Sequence, residues 1–198
     1  TRHQPEREFE HFEPAPVSFA GGEMLVFLGK LWGTESPVQT HSPLLGAEIR
    51  LAPGASIDLP VNPGFEHGLL VDSGQVELEN VVVPTGALGY TGVGSTELRI
   101  SNRSGETARL ILLGGEPFAE EIVMWWNFVG RTHEEIVAFR EQWQAEGERF
   151  GAVDGYIGRG GPGRNADGLG RLPAPRLPDV TIRPRKNPPP QVQGGPAD

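Results

Sequence analysis

The sequence predicts an all-β fold, an antiparallel barrel or jelly roll, followed by one α-helix and a Pro/Gly-rich tail. Three observations lead there. From 17 to about 115, short apolar or alternating runs are broken at close intervals by turn residues. After 130, apolar residues recur at helical spacing. Beyond 151 the chain is mostly Gly, Pro, Arg and Asp, which bury too little to offset the entropy of ordering.

Eight strands are expected, at 24–29, 47–51, 56–61, 68–72, 75–79, 87–91, 96–102 and 108–114, enough to close a barrel or jelly roll. Four turns divide them: Ala52-Pro53-Gly54-Ala55, Asp72-Ser73-Gly74, Pro84-Thr85-Gly86 and Asn102-Arg103-Ser104-Gly105. Each supplies a Pro with preset φ or a Gly free to take positive φ. Asp72-Ser73-Gly74 reads as a hairpin, with Leu69 and Val71 before it and Val76 and Leu78 after it. Residues 121–129, Glu-Ile-Val-Met-Trp-Trp-Asn-Phe-Val, are too apolar for a surface loop and are expected to form one long buried strand.

Thr132 and Glu135 have the spacing of a capping box, so a helix begins there. Along it Ile136, Phe139 and Trp143, with Phe150 beyond, form one apolar stripe, while Glu134, Arg140, Glu141 and Gln144 turn outward. The helix is expected to end near 147–151. Residues 171–178, Arg-Leu-Pro-Ala-Pro-Arg-Leu-Pro, favour extended polyproline geometry lying against the domain.

Composition excludes several classes. A formal net charge of -9 leaves little reason for attraction to a polyanion, so no direct nucleic-acid binding is expected. The chain has no cysteine, hence no disulfide and no thiolate metal site, which suits the cytoplasm. No apolar run reaches the roughly 20 residues that span a bilayer, so no membrane partner is expected. The first residue is Thr1 rather than Met, and the chain reads as a fragment or a trimmed protein. A Gly-rich run at 158–163 lacks the flanking strand and helix of a phosphate loop, and no Gly-x-Ser-x-Gly elbow is present.

The histidines, His3, His11, His41, His67 and His133, are scattered, with no pair two residues apart on one face of a strand. The stretch from Pro63 through His67 to Gly74, then Pro84-Thr85-Gly86, nevertheless resembles the two motifs of cupin barrels. In cupins the first motif carries His-x-His and a Glu seven residues before its Gly, and the second a His three residues after Pro-x-Gly. Here His67 stands at the Glu position, Leu59 to Asn62 occupy the His-x-His region, and Gly89 stands at the second-motif His. A metal ion needs several ligands, so His67 is expected to be a partly buried, hydrogen-bonded histidine at the barrel mouth, with a ligand-contacting role as the alternative.

A wider resemblance lies in Leu112-Leu113-Gly114-Gly115-Glu116-Pro117-Phe118, in 121–136 with its Met-Trp-Trp-Asn-Phe-Val-Gly-Arg-Thr-His core, in Ser42-Pro43-Leu44-Leu45-Gly46, and in Phe9-Glu10-His11-Phe12. Together they are similar to the pirin family over roughly 1–150. That resemblance implies a cupin-type β-barrel (double-stranded β-helix, or jelly roll), the metal-free carboxyl-terminal half of a two-barrel protein. Residues 1–16 would be the inter-barrel crossing, 17–115 the degenerate barrel, 116–150 a return strand and the C-terminal helix, and 151–198 the tail. It further implies Fe(II) in an amino-terminal cupin not contained in this chain, and none here. The parent would be an iron-dependent quercetin 2,3-dioxygenase or, alternatively, an iron- or redox-sensing transcriptional cofactor, with no catalytic residue on this chain. Phe9, His11, Phe12, Met124, Trp125, Trp126 and Phe128 would face the amino-terminal barrel, their partner. The competing reading of the aromatic residues is ordinary barrel core. An isolated chain with that face uncovered would self-associate.

Overall fold

A computed structural model describes residues 10–151 and 171–184. They divide into two compact units, 10–118 and 119–151 with 171–184.

The larger unit is built on two antiparallel sheets. The first has six strands in the order β1 (Val17–Phe19), β2 (Gly22–Leu28), β5 (Leu44–Leu51), β12 (Ala108–Gly115), β7 (Glu66–Ser73) and β10 (Leu88–Thr91). The second runs β6 (Ser56–Pro60), β11 (Glu97–Asn102), β8 (Val76–Leu78) and β9 (Val81–Val83). A ribbon of β3 (Lys30–Leu31) and β4 (Thr34–Glu35) turns through Trp32 and Gly33, both at positive φ as a type I′ turn requires. The inward positions of both sheets, among them Ile49, Leu51, Leu59, Leu69, Leu98, Ile100, Leu110 and Leu112, form one buried cluster. This is the jelly roll that the alternating runs predict, of the cupin type that the resemblance implies, and all eight expected strands are present.

The Asp72-Ser73-Gly74 hairpin is corrected. β7 pairs with β10 and β12, whereas β8 pairs with β9 and β11. The turn is therefore a corner that carries the chain from one sheet to the other. Gly74 (φ 92°) passes so close to Ala108 that a Cβ would stand 2.7 Å from the Ala108 Cβ. Two apolar runs joined by a turn look the same whether the strands pair or diverge. The tight reversal instead joins β8 to β9 through Glu79 and Asn80, again both at positive φ.

Asn102 ties the sheet ends together. Its buried amide donates to the carbonyls of Leu51 (2.8 Å), Ala52 (3.0 Å) and Glu106 (2.7 Å), and its Oδ1 accepts from the amide and hydroxyl of Ser104. On the outer face of the six-stranded sheet, Arg109 bridges Glu48 (2.7 Å) and Asp72 (3.1 Å). The Arg109 hydrogen bond, with that of Arg50, holds the Glu48 carboxyl down at about 2.

In the smaller unit the long strand expected at 121–129 is instead a hairpin, β13 (Val123–Trp125) and β14 (Phe128–Gly130), reversing at Trp126 with φ 50°. No Gly or Pro announces that turn. Helix α1 (His133–Gln144) starts at Thr132, whose hydroxyl accepts from the Glu135 amide at 3.2 Å. The returning carboxylate of the expected capping box takes the Arg131 amide at 2.8 Å, one residue earlier than the N-cap. The helix stops at Gln144, and a short 3-10 turn at Glu148–Phe150 carries the stripe onward. Val123, Phe128, Ile136 and Ala174 are the buried centre, with Trp125, Trp126, Phe139, Trp143 and Phe150 packed around them.

Candidate functional site

Strand β7 aims His67, Leu69 and Val71 inward and Glu66, Gly68 and Leu70 outward. In the neighbouring strands Gly114 and Thr91 stand opposite His67. A Cβ at residue 114 would come within 2.9 Å of the His67 ring, so the imidazole fits because that position is glycine. The ring lies under Phe65, with centroids 6.3 Å apart. The residue is only 2% exposed.

Burial is thus deeper than the sequence suggests. Among the described residues neither His67 nitrogen nor the Thr91 hydroxyl has a hydrogen-bond partner. Desolvation lowers the His67 pKa and favours the neutral imidazole. Both ring nitrogens are shut off from solvent, which removes His67 from the open mouth.

The other positions of the cupin ligand pattern are filled by packing. Gly89 pairs with Leu69, and a Cβ there would stand 2.9 Å from Cγ2 of Val83 and 3.0 Å from Cδ2 of Leu78. Aliphatic side chains take the space a ligand would need. Leu59 is fully buried, and Asn62 spends its Oδ1 on the Gly64 amide at 2.9 Å. Among the described residues no three His, Asp or Glu side chains gather where a metal ion could be held. These residues do not fit an iron ion.

Two adjoining clefts, about 850 and 360 Å³, open beside the β3–β4 ribbon and share Lys30, Glu35, Asn62 and Phe65. Lys30 and Glu35 pair at 3.0 Å with both side chains mostly in water. Buried Ser36 anchors one wall by donating to the Phe27 carbonyl at 2.7 Å. Nearby on the sheet surface, Tyr90 donates to Glu66 at 2.8 Å, which raises the phenol pKa.

Of the expected docking residues, Phe9 lies outside the described residues, His11 is exposed and Phe12 half-buried. Phe128 is corrected: at 4% exposure it is core of the smaller unit and presents no surface. Trp125 and Trp126 are half-buried against it, with ring centroids 6.4 and 5.3 Å away. Hairpin alternation explains the division, since Met124 and Val129 are cross-strand partners on the opposite face, 63% and 53% exposed.

The family described as the pirin C-terminal cupin domain matches residues 46–151, more than half of the chain. The chain belongs to the pirin family. A putative quercetin 2,3-dioxygenase of Pseudomonas aeruginosa is 36% identical over 151 residues, which are 76% of this chain and 47% of that protein. Human pirin is 28% identical over 137 residues, 66% of this chain and 46% of that protein. The crystal structure of a quercetin 2,3-dioxygenase from Acinetobacter baumannii superposes with a TM-score of 0.76 at 33% identity, covering 90% of this chain and 56% of that one. This pirin chain spans about half the length of the curated relatives it matches. No helix among its described residues is long and apolar enough to cross a membrane.

Neither the Gly114 backbone beside His67 nor Thr91 opposite it was singled out by the sequence. A glycine in a strand signals close backbone approach, and Gly114 could have been sought on that ground. Thr91 carries no comparable mark.

Proposed function

We propose that this chain is the metal-free structural and docking cupin of a pirin-type protein, and that its full-length parent is an iron-dependent quercetin 2,3-dioxygenase with Fe(II) in the amino-terminal cupin. The observation that carries the reading is Gly89, closed in by Val83 and Leu78 where the second cupin motif would place a histidine. A barrel whose ligand position is filled with aliphatic carbon contributes packing and surface rather than chemistry. The surface offered to the partner barrel includes Met124 and Val129, and the same face mediates self-association when uncovered. The net charge of -9 and the absence of cysteine support a cytoplasmic protein that binds neither nucleic acid nor membrane.

The test is metal analysis of the chain after anaerobic incubation with ferrous iron and desalting, beside a quercetin-depletion assay on the full-length parent. The chain alone should retain no iron, and the parent should consume quercetin with dioxygen in an iron-dependent way. A stoichiometric, chelator-resistant ion on this chain overturns the structural role. An iron-loaded parent that leaves quercetin untouched overturns the dioxygenase.

A further inference from the structure

Helix α1 spends its polar side chains on the backbone of a distant segment. Trp143 Nε1 donates to the Leu172 carbonyl at 2.7 Å, and Arg140 Nε to the Pro175 carbonyl at 2.6 Å. Gln144 Oε1 accepts the Ala174 amide at 2.7 Å, and His133 Nδ1 accepts the Ile182 amide at 3.2 Å. In return the Arg171 guanidinium donates to the Gly147 and Gly151 carbonyls and sits 5.2 Å over the Trp143 ring.

The segment gives little apolar surface back. Ala174 is buried, Leu177 and Ile182 are half-buried, and Leu172 and Val180 are 60% and 68% exposed. What α1 reads is therefore an extended main chain. Leu172 and Pro175, whose carbonyls both meet the helix, are three residues apart, the repeat of a polyproline II helix. Within Pro173-Ala174-Pro175 only Ala174 has an N–H, and Gln144 takes it. Prolines fix φ before docking, so binding such a segment costs less ordering entropy.

We infer that the face of α1 carrying Arg140, Trp143 and Gln144 is a docking site for extended polypeptide of the Pro-small-Pro type. Residues 171–182 are its resident, exchangeable ligand. Main-chain recognition is tolerant of sequence, and a second polypeptide with the same spacing of prolines meets the same donors and acceptors. The resident segment and the site belong to one chain, so the segment competes intramolecularly and a free competitor is held off while the chain is intact.

The experiment uses the full chain with a specific protease site placed within 158–163, nicked after purification, and a fluorescent synthetic peptide of residues 171–184. The peptide should bind the nicked chain saturably and displace the cleaved fragment, and should bind the intact chain at least about tenfold more weakly. Arg140→Ala should weaken binding about tenfold, as loss of a charged hydrogen bond does. A peptide N-methylated at Ala174 should bind far less well, a comparison that leaves the protein unaltered. If the fragment leaves only as helical circular dichroism is lost, the segment is an integral layer of the core and the inference fails. It fails equally if the N-methylated or a scrambled peptide binds as well as the natural one.

Discussion

The imidazole of His67 lies against the backbone of Gly114, its Cδ2 2.9 Å from where a Cβ would stand. One methyl group at 114 has to displace a buried ring that also packs near Phe65, with centroids 6.3 Å apart. Gly114→Ala is expected to cost about 1–3 kcal/mol of stability, the usual penalty of overpacking a tight core. In a His67→Ala background the cost should largely vanish. Denaturant midpoints for the two single variants and the double variant measure this coupling, and additive effects would show that ring and glycine are independent.

Burial of His67 also fixes a pH dependence. Its folded pKa lies below the ordinary value of 6.5, so in the window beneath 6.5 the unfolded chain binds a proton that the folded chain refuses. Stability contributed by the neutral ring is complete above 6.5 and declines as pH falls through that window, with a slope approaching about 1.4 kcal/mol per pH unit. Urea titrations at intervals from pH 8 to 5 should show the decline in the wild type and a nearly flat profile in His67→Leu. Glu48, held down at about 2 by Arg109 and Arg50, acts in a separate window: its contribution is present above about 4.5 and is lost on acidification toward 2. That second loss should persist in His67→Leu.

The two faces of the β13–β14 hairpin should respond oppositely to substitution. Phe128 fills the smaller core, and Phe128→Ala is expected to destabilise it by about 3–5 kcal/mol. Met124→Ser with Val129→Ser touches exposed side chains and should change stability by no more than about 0.5 kcal/mol each, while reducing self-association. Thermal melting and size-exclusion chromatography of the variants separate these outcomes. Strong unfolding of the Met124/Val129 variant would remove that face from the docking surface.

Period and turn chemistry made the eight main strands legible because each has one buried face and clear punctuation. The division of strands between sheets was not, since pairing depends on partners such as β5 and β12 that are remote in sequence. The β13–β14 reversal was hidden because a bulky Trp126, rather than Gly or Asn, takes the positive φ there. At the site, the resemblance to the cupin motifs placed Gly89 where their second-motif histidine would stand. The fit of His67 over Gly114 depends on register between β7 and β12, which single-strand patterns do not encode. The docking of 171–182 onto α1 is likewise a relation between segments, although Pro-x-Pro hinted at the conformation of one of them.

The antiparallel ladder from Leu51↔Ala108 to Leu44↔Gly115 has a consequence for birth on the ribosome. β5 is synthesised together with its earlier neighbour β2, but the strand that covers its other edge is made between 57 and 71 residues later, taking 51 to 108 and 44 to 115 as the limits. At bacterial or eukaryotic elongation rates of about 5–20 residues per second, that edge waits for roughly 3–14 seconds with its amides and carbonyls unpaired. During those seconds the nascent chain offers a template to any other strand, and holding it open falls to the ribosome surface and to whatever chaperone is bound there.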